Sequence, residues 1–409
     1  MKEWIKINTK SDFTTYREQS PIVKCLLCDR EDTAFFRSQL KVGFKENNEG
    51  ELEERLKKII EWRKLLSEKL DANQELRDLC VYSLGHLIAA RYSGKAQSLD
   101  AIGYTLNKLS NAMADEKPII FTFCFGGYKS HTSPSHPEVD WAELFNLNYL
   151  VSYLYPLIRK YKYGVEIEYE SEEVSIQFNN VPQKKTDRYT VSFSKLIEYY
   201  KNKLNEKYGI DIPIRLVVAR DLYKGGVAEL YRLIDTKKEE YRKIFESLPD
   251  SEQNKWIMRA KSNYMWEDGI IKYGEVSDDE KYEIYKEARI TNEAFLDADY
   301  ILREGWFENP YRIPLTGTWG TMPSAQPIDG WLHIKSTEYS KVDCWIGTGF
   351  LEAKVKDDKV QYRQTILSKK QMESLADRIQ YIENDDEILK RVSENFNKVP
   401  IFCREEDVI

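Results

Sequence analysis

The stretch KPIIFTFCFGGYKSHTSPSHPEVDWAELFNL, residues 117–147, decides the predicted fold. Its first half is an almost continuous apolar run that starts at Pro118 and ends at two glycines. Such a run is typical of a central strand covered on both faces, and proline is tolerated at the start of a strand. Asp140 followed by Glu143 forms a capping-box pattern, which predicts a helix over 140–161. A buried strand that leads through a loop to an amphipathic helix indicates an α/β sheet.

The rest of the chain extends this pattern in both directions. Together the predicted elements favour an α/β fold with a mixed sheet, at least one parallel crossover and helices on both faces. The predicted elements are helices at 50–70 and 73–92, two strands around a turn at 171–173 within 164–178, a helix at about 187–206, a strand at 212–220, mostly helix over 228–300, short strands at 311–316 and 330–335, and one or two strands at 341–355.

These elements divide the chain into three regions. Residues 1–111 are predicted to be mainly helical, residues 112–360 to form the α/β catalytic domain, and residues 361–409 to form a charged helical tail. The two terminal regions could supply a lid, a homo-oligomer contact or a partner site.

Composition narrows the class of protein. The 409 residues contain 61 lysines and arginines against 68 acids, and no long basic block, so a nucleic-acid partner is not predicted. No apolar run approaches the length of about 18 residues that a membrane span needs, and no apolar stretch follows the charges at the N-terminus. We therefore expect a cytoplasmic protein with no membrane association.

The six cysteines are sparse for this length, which favours reduced thiols over a disulfide framework. Cys25 and Cys28 have the C-x-x-C spacing of a zinc knuckle, but no second ligand pair follows at the usual distance. A zinc site there would need two distant ligands, so no metal is predicted.

The loop after the first strand contains the main candidate site. Ligands of open α/β sheets bind beyond the carboxyl ends of the strands. Gly126 and Gly127 would let the backbone turn and expose its amides, while Lys129 and Ser130 offer a positive charge and a hydroxyl. These groups predict an anionic ligand.

Titratable side chains surround the same loop. His131 and His136 could exchange protons near neutral pH, and Asp140 and Glu143 add carboxylates at the start of the helix. The alternative is that the glycines form only a turn, Asp140 is only a helix cap and the loop is solvated surface. Standard dinucleotide, P-loop, serine-hydrolase and zincin fingerprints do not occur in the sequence.

A second loop could close the same pocket. Arg312 lies among apolar residues on a short predicted strand, so it needs an anionic partner, either a structural carboxylate or a ligand phosphate. His333 and Lys335 share one face of their predicted strand, which could direct both toward a ligand. The alternative for this pair is the exposed polar face of an edge strand.

Five segments, taken in order, resemble the isocyanide (isonitrile) synthases of the pyoverdine and dityrosine biosynthesis type. The shared features are an apolar strand that ends in a Lys-Ser loop, an acidic helix start, a Tyr-x-x-Gly strand and a late strand that begins with arginine. The segments are KPIIFTFCFGGYKS (117–130), HPEVDWAELFNL (136–147), YKYGVEIEYESEEV (161–174), ADYILREGWFENPYRIPLTGTW (298–319) and GWLHIKS (330–336).

The resemblance, which covers roughly 112–350, implies a Rossmann-like α/β fold. It also implies an enzyme that needs no cofactor and joins the amine of an aromatic amino acid to the ketone of ribulose 5-phosphate. On this basis Lys129 and Ser130 would face the sugar phosphate or carbonyl, Arg312 would bind an anion, and Glu143 would act as a base or orienting group. The family usually continues Lys-Ser with Pro-Asn, where this chain has His131 and Thr132. This difference favours a member with altered chemistry.

The sequence thus predicts an enzyme of specialised metabolism that condenses an amino acid with a phosphorylated keto sugar. In this hypothesis Lys129, His131, His136 and Glu143 are catalytic, and the remaining candidates bind substrate. Two alternatives stay open: a metal-dependent transferase that uses an activated sugar or nucleotide, and a non-catalytic binding or scaffold protein.

Overall fold

The computed structural model describes residues 99–125, 136–171, 173–174, 182–209, 211–263, 277–314, 348–356, 359–367, 369–384 and 386–403. Several predictions lie outside these residues, namely the helices at 50–70 and 73–92, the Cys25 and Cys28 pair and the strand at 330–335.

Strands and helices alternate from α1 to β3, three consecutive helices then precede β4, and a second group of strands follows. The first group is α1 (Leu99–Ala114), β1 (Ile119–Phe125), α2 (Trp141–Lys160), β2 (Val165–Ser171), α3 (Gln183–Tyr208), β3 (Ile214–Val218), α4 (Gly226–Ser247), α5 (Asp250–Asn263), α6 (Asp278–Phe307) and β4 (Arg312–Pro314). The second group is β5 (Thr348–Lys356), β6 (Lys359–Leu367), α7 (Lys369–Ser374), β7 (Ile379–Glu383), α8 (Glu387–Val392) and β8 (Lys398–Cys403). Short 3-10 turns occupy Ala219–Leu222, Ala376–Arg378 and Glu394–Phe396.

The first four strands form a parallel sheet in the order β3-β2-β1-β4. Every neighbouring pair in it is parallel. This is the strand order of the first half of a Rossmann fold, in which the direction of strand addition reverses between β1 and β4. The predicted α/β Rossmann-like class is therefore confirmed, although the sheet was expected to be mixed and its four described strands are all parallel.

Apolar residues of one sheet face pack against α2 and α3. Phe121 and Phe123 of β1 are fully buried, as the near-continuous apolar run predicted. On β2, the Tyr169 ring meets Phe193 of α3 edge-on at 5.1 Å, and its hydroxyl donates to Asn146 of α2 at 2.9 Å. The opposite face of the sheet lies against α6, so helices cover both faces.

Local sequence signals mark the start of α2 and the end of α3. The predicted capping box at the start of α2 is present: Asp140 caps the helix, and Glu143 bonds back to the Asp140 amide. Helix α3 ends at Gly209, whose φ of 62° lies in the left-handed region that favours glycine.

None of the helices in the described ranges is long and apolar enough to cross a membrane.

The C-terminal region is not the predicted helical tail, because it contains a second sheet. Its strands form a second sheet in the order β6-β5-β8-β7, and its two helices are only six residues each. The charged residues that suggested helix lie between short strands, while Val399, Ile401 and Phe402 of β8 are buried. The predicted boundary between 360 and 361 falls inside β6, because β5 and β6 pair as an antiparallel hairpin.

Candidate functional site

The carboxyl ends of β1 and β4 lie next to each other in the parallel sheet. Strands β1 and β4 are neighbours, with Thr122 opposite Pro314, so the chain leaves their carboxyl ends side by side. This is the switch point at which α/β proteins bind ligands. The predicted site residues that lie outside the described residues are Gly126, Gly127, Lys129, Ser130, His131, His333 and Lys335.

Asp140 and Glu143 lie at this edge, at the start of α2, and both are buried. The Asp140 amide donates to Glu143 Oε2 at 2.7 Å, and the Ala142 amide donates to Asp140 Oδ1 at 2.7 Å. Glu143 Oε1 lies 3.5 Å from the hydroxyl of Tyr189 on α3. The helix-cap interpretation of this pair is therefore confirmed, whereas their substrate roles stay predictions.

His136 opens the segment that leads into α2. Its side chain is 53% exposed, and Nε2 lies 3.9 Å from the carboxylate of Glu394 in the C-terminal region. An exposed imidazole at this position could reach a ligand in solution or the neighbouring glutamate. His136 therefore lies beside the C-terminal region, four residues before the helix cap at Asp140.

Arg312 is buried in the face of the sheet that α6 covers. Its Nη1 contacts Glu168 of β2 and donates to Thr122 Oγ1 at 2.6 Å, while its Nε donates to the Trp306 carbonyl at 3.0 Å. The guanidinium also lies 4.2 Å from the centre of the Trp306 ring. Of the two anionic partners that the sequence left open, the structure supplies the structural carboxylate.

A second buried charge cluster lies nearer the carboxyl edge. Arg303 of α6 bridges Glu170 of β2 and Asp299 one helical turn earlier, and Tyr223 donates to Asp299 Oδ1 at 2.9 Å. Burial raises the pKa of Asp299 to about 6, although Arg303 acts to lower it. Burial also raises the pKa of Tyr223 far above its usual range, with the Asp299 charge adding to the effect, so the hydroxyl remains a donor.

A third network of polar side chains lies where β2 and β3 end. Ser171 donates to Glu173, and the backbone amide and Nε of Arg220 donate to the other Glu173 oxygen at 3.3 and 3.2 Å. Nη2 of Arg220 continues to Asp187 of α3 at 2.8 Å. Burial acts to lower the pKa of the Arg220 guanidinium, but the bonds to Asp187 and Glu173 outweigh it and the pKa is raised.

Sequence reasoning missed these networks, although a signal for them exists. In VEIEYES, residues 165–171, the glutamates alternate with apolar residues, a pattern usually assigned to a solvent-exposed strand face. In the structure Glu168 and Glu170 are buried on a central strand. The signal that could have found them is the pair of arginines set in apolar surroundings, Arg303 and Arg312, because a buried arginine needs a carboxylate.

The three networks hold buried charged side chains in fixed orientations. Their role is therefore electrostatic rather than that of free catalytic groups. Buried carboxylates and guanidiniums that are already oriented need no reorganisation when a substrate binds nearby. Within the described ranges no group of three or more His, Cys, Asp or Glu side chains is arranged to hold a metal ion.

Comparisons with known proteins identify a fold neighbour only. No protein-family model and no curated protein matches this chain. Among solved structures, the PvcA protein from Pseudomonas aeruginosa is similar with a TM-score of 0.52 and 15% sequence identity, over 79% of this chain and 99% of the PvcA chain. The chain therefore shares its α/β fold with PvcA, as a structural neighbour at low identity.

Proposed function

We propose that this chain is a biosynthetic enzyme of specialised metabolism that resembles the isocyanide synthases. It joins the amine of an amino acid to the ketone of a phosphorylated keto sugar such as ribulose 5-phosphate, without a cofactor. One observation supports the proposal: in the order β3-β2-β1-β4 the neighbouring strands β1 and β4 form a switch point, which is where α/β sheets bind ligands. The fold shared with PvcA supports it.

The proposed roles follow the chemistry of condensation. The amine attacks the carbonyl carbon, a base removes its two N–H protons in turn, an acid delivers two protons to the oxygen, and that oxygen leaves as water while a C=N bond forms. Lys129 and Ser130 hold the sugar phosphate, and His131, His136 and Glu143 are the proton donors and acceptors. Arg312 has no part in this proposal, because its guanidinium already contacts the buried Glu168.

The test is a thermal-shift and mass-spectrometric screen with ribulose 5-phosphate and each amino acid in turn. A charged contact to an anion is worth about 1.5–3 kcal/mol, so Lys129→Ala should weaken substrate use at least about tenfold. Lys255→Ala is the matched control, because Lys255 is an exposed lysine on α5 that pairs with Glu252. This control should behave like the wild type.

Each result decides between the functional classes. A sugar-phosphate shift that Lys129→Ala abolishes, together with a new product mass, supports the proposal. Activity that requires a nucleotide or activated sugar and is lost on chelation would favour the metal-dependent transferase. Absence of a shift with any phosphorylated sugar or nucleotide would favour a binding or scaffold protein.

A further inference from the structure

We infer that the C-terminal unit, the described residues of 348–403, is a positioning element of the candidate site. It fixes the segment 136–141, through which the chain enters α2 from the stretch that carries Lys129. The inference rests on the proposed function only in placing the site at this end of α2. Asn395 and Phe396 are the positioning residues.

Polar contacts connect the unit with this segment at three alternate residues, 136, 138 and 140. The Asn395 side-chain amide donates to the Glu138 carbonyl at 3.1 Å, and the Gly349 amide donates to Asp140 Oδ1 at 3.3 Å. His136 faces Glu394 across 3.9 Å. Because Asn395 bonds to backbone rather than to a side chain, its contact sets the path of the chain itself.

Close packing accompanies these hydrogen bonds. The Trp141 ring lies 5.5 Å from the Phe396 ring, and both side chains are almost completely buried. Strand β5 approaches so closely at Gly349 that a Cβ there would lie 2.3 Å from the Ala142 amide nitrogen. The first turn of α2 therefore has one fixed position relative to the second sheet.

Helix α3 holds the same segment from the other side, so loss of one C-terminal contact should leave the protein folded. Ser192 Oγ accepts from the Val139 amide at 3.1 Å, and Arg188 contacts the Glu138 carboxylate. The contribution of Asn395 is thus to complete the restraint on the Glu138 carbonyl, not to build the fold.

A separate contact offers a matched control. Tyr199 of α3 donates to Asp386 at 2.9 Å, which also joins the C-terminal unit to the parallel-sheet part of the chain, but away from residues 136–141. Tyr199→Phe and Asn395→Ala each remove one hydrogen bond between the same two parts of the molecule. Only the second removes a bond at the start of α2.

The experiment compares amide hydrogen exchange, melting temperature and steady-state kinetics of the two variants. Both should lower the melting temperature by no more than about 4 °C. Only Asn395→Ala should raise exchange over 136–143, by about fivefold. It should also lower kcat about tenfold because a reacting group is misplaced, and Asn395→Gln should restore part of the loss.

The exchange measurement needs no substrate, so it tests the positioning role of the C-terminal unit independently of the proposed function. If the wild type uses no sugar phosphate, the proposed function fails, while local exchange still decides whether the C-terminal unit positions 136–143. Equal exchange over 136–143 in both variants would overturn the inference. If Asn395→Ala does not fold, Phe396→Leu replaces it, with the same local increase expected.

Discussion

Replacing Arg303 with methionine should destabilise the protein strongly and in a pH-dependent way. The Arg303 side chain is 2% exposed and joins Glu170 with Asp299, while its guanidinium lies 4.7 Å from the Phe307 ring. Methionine keeps the apolar stem but removes the charge from two buried carboxylates. Removing one partner of a buried ion pair typically costs about 3–5 kcal/mol, which is the loss that we expect at pH 8.

The pH dependence follows from Asp299. Its pKa is raised from 3.8 to about 6, mainly by burial, and Arg303 acts against this rise. A carboxyl whose pKa is higher in the folded than in the unfolded state favours folding at low pH, and that contribution is lost as pH rises through the folded pKa. Without Arg303 the pKa of Asp299 should rise further, so the deficit should be at least about 1 kcal/mol smaller at pH 5 than at pH 8.

Urea unfolding followed by tryptophan fluorescence at pH 5 and pH 8 measures this difference, with unchanged m-values as the condition for comparing midpoints. Arg232→Met is the control, because Arg232 is 65% exposed and pairs with Glu229 along the surface of α4, so its midpoint should not move. A deficit below about 1 kcal/mol at pH 8, or one that is equal at both pH values, would refute the structural assignment of Arg303.

Three further predictions concern α2 and its contacts. Gly349→Ala should cost about 3 kcal/mol in thermal unfolding, because its Cβ would meet the Ala142 backbone; an unchanged melting temperature would contradict this close approach. Asp140→Ala should cost about 1 kcal/mol in urea unfolding, whereas Asp140→Asn should retain most of the cap; equal losses would argue against capping. Tyr169→Phe should cost about 1–3 kcal/mol because Asn146 Oδ1 loses its donor, and adding Asn146→Leu should recover most of that loss; a further loss would disprove the pairing.

The elements that sequence reasoning predicted well depend on local signals. The apolar run of β1 and the capping box of α2 are each contained within a few residues, and both are present in the structure. Of the strand pair predicted around residues 171–173, the first strand is present as β2, which ends at Ser171, and residues 173–174 are helical. Residues 175–178 of the second predicted strand lie outside the described residues. A short polar stretch after a strand is compatible with either a hairpin or a helix start, and tertiary contacts decide between them.

The C-terminal sheet could not be predicted in the same way, because β7 and β8 are only five and six residues long and β8 pairs with the distant strand β5. Pro400 is an unfavourable residue for a central strand such as β8, since proline donates no ladder hydrogen bond. In the structure β8 pairs with β5 only from Ile401 onward, so the missing donor of Pro400 falls outside that ladder. Pro400 lies opposite Tyr381 of β7 instead.

The buried charges show why the candidate site was harder to predict than the fold. Glu168 and Glu170 are separated from Arg312 and Arg303 by 144 and 133 residues, so no local window contains both partners. A carboxylate on a strand therefore gives the same sequence pattern whether it faces water or a distant guanidinium. Arg303 of α6 forms an ion pair with Glu170 in the carboxyl half of β2. A ligand at the switch point would therefore bind beside side chains whose orientation is already fixed. Rigid charged groups of this kind suit a site that recognises polar substrates, since their orientation costs no entropy on binding.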